Sequence, residues 1–276
     1  MVSVFVREAR AAGGVLMQGR PIRSAFSVEG TGAPLFLIHG IGASRASWEG
    51  VIQHLKSQFR CISYDLRGHG KSPVPPTPYT LDDLVEDLEA LRSELGIARA
   101  HFAGHSLGGM IGPAYARRYP HRVQSLGLLS TAAFRTAEDS AKVRGVVADM
   151  RARGIAPVLD TLKERWFTAQ FAARCPQVIE RRMRQVIDTD AEVFLSVFDI
   201  YAETEMAPWL AEIHQPCLVL TAECDAGCNP RLNRQIAAAL PRSRLVILPE
   251  LRHAILLEAA EQVAAPMLDF LLGLND

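Results

Sequence analysis

The sequence predicts an α/β fold, a mostly parallel central sheet flanked by helices, with a helical insertion late in the chain. Short apolar runs alternate with amphipathic stretches, as expected for strands buried on both faces between covering helices. One stretch, from Thr131 to Leu210, breaks that alternation with helix-like sequence and no convincing strand. A G-x-S-x-G pattern also stands where one apolar run passes directly into a helix.

The predicted buried strands are Leu35–His39, Cys61–Tyr64, Ala100–Ala103, Val123–Leu129, Cys217–Thr221 and Arg244–Leu248. Helices are expected at Ser47–Gln58, Leu81–Leu95, Leu107–Tyr119, Arg231–Leu240 and Ala259–Leu272. Thr80 followed by Asp82 and Asp83 marks a helix start, because acidic groups favour the positive end of the helix dipole. Pro73, Pro75, Pro76 and Pro78 make the preceding segment an extended loop. The core is expected to comprise residues 1–130 and 211–276, and residues 131–210 a helical lid. The lid aromatics, Trp166, Phe167, Phe171, Phe194, Phe198, Tyr201 and Trp209, are expected mostly to form the lid's own core.

Composition bounds the function. Lys+Arg and Asp+Glu both number 30, so zero net charge gives no support for nucleic acid or an anionic membrane as partner. No apolar run approaches the roughly 20 residues a membrane-spanning helix needs. Met1 to Arg20 shows no apolar segment leading to a cleavage site, so a cytoplasmic protein is expected, as monomer or homodimer. The five cysteines, Cys61, Cys175, Cys217, Cys224 and Cys228, form no regular framework and read as reduced thiols. The Cys224-x3-Cys228 spacing has no histidine at ligand distance, so no metal site is expected.

Gly104-His105-Ser106-Leu107-Gly108 carries the chemistry. A nucleophilic serine at a sharp strand-to-helix turn has its hydroxyl pushed out of the sheet edge. Glycines on either side let strand and helix approach closely. The helix N-terminus beyond it favours developing negative charge.

With Leu37-Ile38-His39-Gly40-Ile41-Gly42 closing an earlier strand, the chain from Pro34 onward resembles the α/β-hydrolase superfamily. The resemblance implies a catalytic triad of Ser106, Asp225 and His253. It also implies an oxyanion hole made by the backbone N–H groups of Ile41 and Leu107. Asp225 follows the run Leu218–Ala222, with Glu223 as the competing carboxylate. His253 follows the last strand, with Arg252 where the family commonly has glycine and Glu258 five residues downstream as usual. His39 is expected to hold its loop by hydrogen bonds, and His105 to point away from the site. Asp65-Leu66-Arg67-Gly68-His69-Gly70 resembles a structural turn of the family, with Asp65 and Arg67 satisfying backbone groups.

The serine branch it most resembles holds 3-oxoadipate enol-lactonase and small bacterial carboxylesterases. Hydrolysis of a small carboxylic ester or lactone is therefore expected, with no metal or organic cofactor. A carbon–carbon or amide hydrolase of aromatic catabolism would use the same triad. A hydrolase-fold ligand receptor and a cofactor-free perhydrolase are more distant readings. A serine nucleophile argues against the epoxide hydrolases and haloalkane dehalogenases, which use aspartate. Candidate substrate contacts are Trp48, Phe134, Arg135, Trp166 and Tyr201. Arg135 could pair with a substrate carboxylate or be a solvated lid charge.

Overall fold

Leu35 and Leu37 belong to one apolar cluster, and the intervening Phe36 and Ile38 to another. That period of two is the signature of a strand with both faces covered. A computed structural model, which describes residues 19–274, carries this pattern across a seven-stranded sheet. The strands are β1 (Phe26–Glu29), β2 (Ala33–Ile38), β3 (Phe59–Tyr64), β4 (Ala100–His105), β5 (Val123–Leu129), β6 (Cys217–Ala222) and β7 (Ser243–Leu248). Their order is β1-β3-β2-β4-β5-β6-β7, parallel throughout except for β1 against β3. All six expected strands are present within a residue or two of their expected ends. Only β1 escaped the sequence reading. The sequence reading of the N-terminus falls, up to Gln18, outside the described residues. Among those described, no helix is long and apolar enough to cross a membrane.

The covering helices outside the insertion are α1 (Glu49–Leu55), α2 (Leu81–Glu94), α3 (Gly108–Arg118), α9 (Pro230–Ala239), α10 (Ile255–Glu258) and α11 (Ala260–Leu272). Between β5 and β6 stand α4 (Ala137–Arg153), α5 (Ala156–Trp166), α6 (Ala169–Arg174), α7 (Pro176–Asp188) and α8 (Ala191–Glu203). These five helices do not keep their aromatics to themselves. Phe194, Phe198 and Tyr201 of α8 join the cluster that also holds Phe36 and Phe102 from the sheet. Only Phe167, Phe171 and Ile179 form a separate buried group.

The start of α2 has a physical cause one step beyond the expected dipole effect. Thr80 and Asp83 form a reciprocal capping box: Asp83 N–H donates to Thr80 Oγ1 at 3.3 Å and Thr80 N–H to Asp83 Oδ2 at 2.8 Å. One turn on, Asp87 accepts both arms of Arg67, at 2.6 and 2.7 Å. Arg67 therefore pairs chiefly with a carboxylate rather than with the backbone groups expected. Both residues are buried, at 2% and 1% exposure, so the pair is locked in place. Removing one partner strands the other charge, which costs about 3–5 kcal/mol. Asp87→Ala should lower the urea midpoint accordingly; an unchanged midpoint would show that water reaches Arg67.

Candidate active site

The turn between β4 and α3 is built to hold one side chain in a position that ordinary backbone avoids. Ser106 has φ of 57°, in the left-handed region, although it is not glycine. Its N–H donates to Leu129 O at 2.9 Å, and its carbonyl accepts from Gly109 N–H at 3.0 Å and Thr131 Oγ1 at 2.9 Å. The flanking glycines are required by space. A Cβ on Gly104 would lie 1.9 Å from Gly108 O, and one on Gly108 would lie 2.3 Å from Ile38 O. Strand, helix and the neighbouring β2 thus converge on this turn at backbone contact.

Past the end of β6, Asp225 is buried and fully engaged. Its Oδ1 accepts from Gly227 N–H at 3.0 Å and Cys228 N–H at 2.8 Å, and Oδ2 accepts from His253 Nδ1 at 2.7 Å. Burial alone would push its pKa up, but the His253 charge and these donors outweigh it and hold the carboxyl below its usual range. Burial works the other way on His253, and the adjoining Asp225 carboxylate outweighs it, raising the imidazole above its usual value. Glu223, the competing carboxylate, is exposed and instead accepts from Glu250 N–H at 3.1 Å. Ser106, Asp225 and His253 all line one cavity, together with Ile41.

The loop carrying His253 is held from several sides. His105 does not point away: its Nε2 donates to His253 O at 2.9 Å, and the two rings lie 4.8 Å apart. Burial and the neighbouring His253 push His105 down to about 3, so it is a neutral strut. Arg252, standing where glycine is common, donates to the carbonyls of Glu164 and, at 3.1 Å, Phe167. Glu258 accepts from Thr168 N–H at 2.9 Å and Thr168 Oγ1 at 2.7 Å. These contacts pin α5 and α6 of the insertion to the histidine loop.

At the turn after β2, His39 does hold its loop, donating from Nδ1 to Gly40 O at 2.8 Å and accepting Leu66 N–H at 3.0 Å. His69 Nε2 accepts Gly42 N–H at 3.2 Å. Asp65 accepts Arg45 N–H at 2.7 Å and Lys71 N–H at 3.0 Å, as a structural turn requires. Among the described residues, neither Ile41 N–H nor Leu107 N–H donates to a protein acceptor, and Ile41 lines the cavity.

The substrate-contact candidates divide. Trp166 and Tyr201 line the cavity. Arg135 lines it too, half-buried and held by backbone carbonyls. Its guanidinium donates to the carbonyls of Tyr201 at 2.7 Å, Thr204 at 3.1 Å and Ala202 at 3.2 Å, and stacks 4.6 Å over the Tyr201 ring. Trp48 is a correction: it sits in a 3-10 turn (Arg45–Trp48), wholly buried in the cluster on the sheet face shared with Leu35 and Leu37. Trp48→Ala should therefore cost about 3–5 kcal/mol of stability, read as a lower denaturation midpoint; a normal midpoint with altered substrate preference would restore it to the pocket. Phe134 is also corrected. It is absent from the cavity lining; with φ of 60° and the Glu205 carboxylate on its N–H (3.0 Å), its half-buried side chain packs against the main core.

Two residues escaped the sequence reading. Cys228, read as a structural thiol beside a strand, meets Tyr201 Oη at 3.3 Å, and its Sγ lies within 4.8 Å of donor atoms of Asp225 and His253. Those three could contact a soft cation, but the Asp225–His253 hydrogen bond already occupies two of them. Arg182, on α7, donates to the carbonyls of Ile41, at 2.9 Å, and Gly42. It lay hidden in a basic helical run that reads as a solvated face.

The sequence pattern of the α/β-hydrolase fold matches residues 33–260, most of the chain. The chain belongs to the α/β-hydrolase fold family. Within that family, it is 31% identical over 191 residues to 3-oxoadipate enol-lactonase 2 of Acinetobacter baylyi, covering 69% of this chain and 71% of that one. An enol-lactonase structure from Burkholderia xenovorans superposes with a TM-score of 0.83 at 29% identity, over 90% of this chain and 96% of that one. A thermophilic esterase from Thermogutta terrifontis gives 0.84 at 29% identity, over 92% and 95%. This α/β-hydrolase is accordingly an enzyme with lactonase and esterase relatives.

Proposed function

We propose that this α/β-hydrolase cleaves a small carboxylic ester or lactone through an acyl-enzyme on Ser106. One observation carries the reading: the Asp225–His253 hydrogen bond of 2.7 Å opens onto the same cavity as a serine held at φ 57°. In the proposed sequence, His253 takes the Ser106 proton as Oγ attacks the carbonyl carbon. Asp225 orients the imidazole and stabilises its charged form. The N–H groups of Ile41 and Leu107 receive the oxyanion, each worth about 3 kcal/mol in the transition state. His253 then protonates the leaving alkoxide, and water, activated by the same histidine, releases the acid. Apo hydrolases often hold the serine–histidine contact long and tighten it around substrate. The insertion, residues 131–210, acts in this reading as a lid that supplies Trp166 and Tyr201. The enol-lactonase and esterase relatives favour ester and lactone over the other acyl substrates.

The test is steady-state hydrolysis of p-nitrophenyl acetate and butyrate and of γ-lactones. Turnover on either class is expected. Stable phosphonylation by a fluorophosphonate, with fluoride leaving, but no ester or lactone turnover would instead favour the carbon–carbon or amide substrates.

A further inference from the structure

The cavity lining carries a cation that the proposed chemistry does not use. Arg182 reaches from α7 into the cavity lining, its guanidinium lying 4.9 Å from the Trp166 ring centre. Its protein acceptors are two neutral carbonyls, those of Ile41 and Gly42. Among the described residues, no carboxylate lies within 4.0 Å of it, whereas the buried Arg67 has two. A guanidinium has more N–H donors than two carbonyls use. Burial pushes Arg182 down to about 10, which still leaves it charged at neutral pH. Even a half-buried charge without a counterion carries a desolvation cost. The protein meets that cost at the wall of its own active-site cavity.

The other charges in the lining are unequal in the same direction. Asp139 is paired with Arg231, and Asp225 with His253. Lys142 is paired with Glu138 at 2.7 Å. Arg165 and Arg135 also line the cavity and, among the described residues, neither has a carboxylate within 4.0 Å of its guanidinium, although Arg135 is held by the carbonyls of Tyr201, Ala202 and Thr204. The acidic groups are thus spent, and the uncommitted charge is positive.

We infer that Arg182 is a carboxylate-binding subsite, and that the substrate is an ester or lactone carrying a free carboxylate near its scissile carbonyl. The inference rests on the ester or lactone reading for the reaction, but the subsite itself does not. A guanidinium fork matches a carboxylate in geometry as well as charge. Its position sets the reach. Arg182 grips the carbonyl of the residue whose N–H is proposed to hold the oxyanion, so carboxylate and scissile carbonyl are recognised from one loop. Trp166 packs on the guanidinium and favours the cation at this place.

The experiment compares mono-p-nitrophenyl glutarate with its neutral isostere p-nitrophenyl valerate, in the wild type, Arg182→Lys and Arg182→Gln. The reading is the ratio of kcat/KM for the two esters, because Arg182 also braces the Ile41–Gly42 turn and either rate alone could fall. The wild type should favour the hemiester, through KM. Arg182→Gln should cut that preference by about 10- to 100-fold, with Arg182→Lys in between. A ratio that survives Arg182→Gln, whatever the absolute rates, makes the residue a loop strut only and overturns the subsite. So does a wild type with no preference. If no ester is turned over at all, thermal shift with free glutarate decides separately. A rise in melting temperature in the wild type that Arg182→Gln abolishes keeps the subsite while the ester reading fails; no rise overturns the subsite as well.

Discussion

Replacing Ser106 with alanine should lower kcat on any ester or lactone substrate by on the order of 10⁶-fold, while leaving the fold intact. The magnitude follows from what the residue does. Without Oγ no acyl-enzyme forms, and only substrate binding and the Ile41 and Leu107 amides remain, which together leave roughly 10³-fold over water in hydrolases of this mechanism. The strained φ of 57° at Ser106 is carried by neighbours, not by its own hydroxyl: Leu129 O, Gly109 N–H and Thr131 Oγ1 hold its backbone. The variant should therefore unfold at a midpoint close to that of the wild type. A variant that keeps more than a small fraction of its activity would remove the serine from the mechanism.

Asp225→Asn should be nearly as damaging, at roughly 10⁴-fold in kcat, for a reason visible in its partners. Oδ1 is fixed by Gly227 and Cys228 N–H groups at 3.0 and 2.8 Å, so an asparagine keeps its oxygen there and turns its NH₂ towards His253. That amide donates where the carboxylate accepted, which favours the wrong imidazole tautomer. The pH profile should move as well. Neutral His253 is the working base, so activity rises with pH through its pKa, which Asp225 raises above the ordinary value. Losing the carboxylate removes the largest influence that raises it, against the lowering by burial, and shifts the acidic limb of kcat/KM to lower pH. A limb that stays in place would show that Asp225 does not set the charge of His253.

Much of this architecture is readable from residues alone, because parallel strands covered on both faces are written as apolar runs. Leu218–Ala222 and Val123–Leu129 needed no structure to recognise. The edge strand Phe26–Glu29 was not legible: four residues, half of them polar, carry too short a period to separate from loop. The placement of Ser106, Asp225 and His253 at one cavity was legible because strand and turn order constrain it. The substrate wall was not. Trp48 sits only a few residues beyond the Gly40–Gly42 turn, but a 3-10 turn carries it beneath the sheet. Arg182 stands among Arg181, Met183 and Arg184, and only the packing of α7 over the Ile41–Gly42 carbonyls separates it from a solvated face. Helices of an insertion pack through contacts distant in sequence, which local pattern does not encode.

The central claim, a nucleophilic serine at the β4–α3 turn, is tested most directly by peptide mapping after reaction with a fluorophosphonate. The account predicts one adduct, on the peptide containing Ser106, formed in the wild type and lost in both Ser106→Ala and His253→Ala. An adduct on any other residue, or an active enzyme that the reagent neither labels nor inhibits, would contradict it.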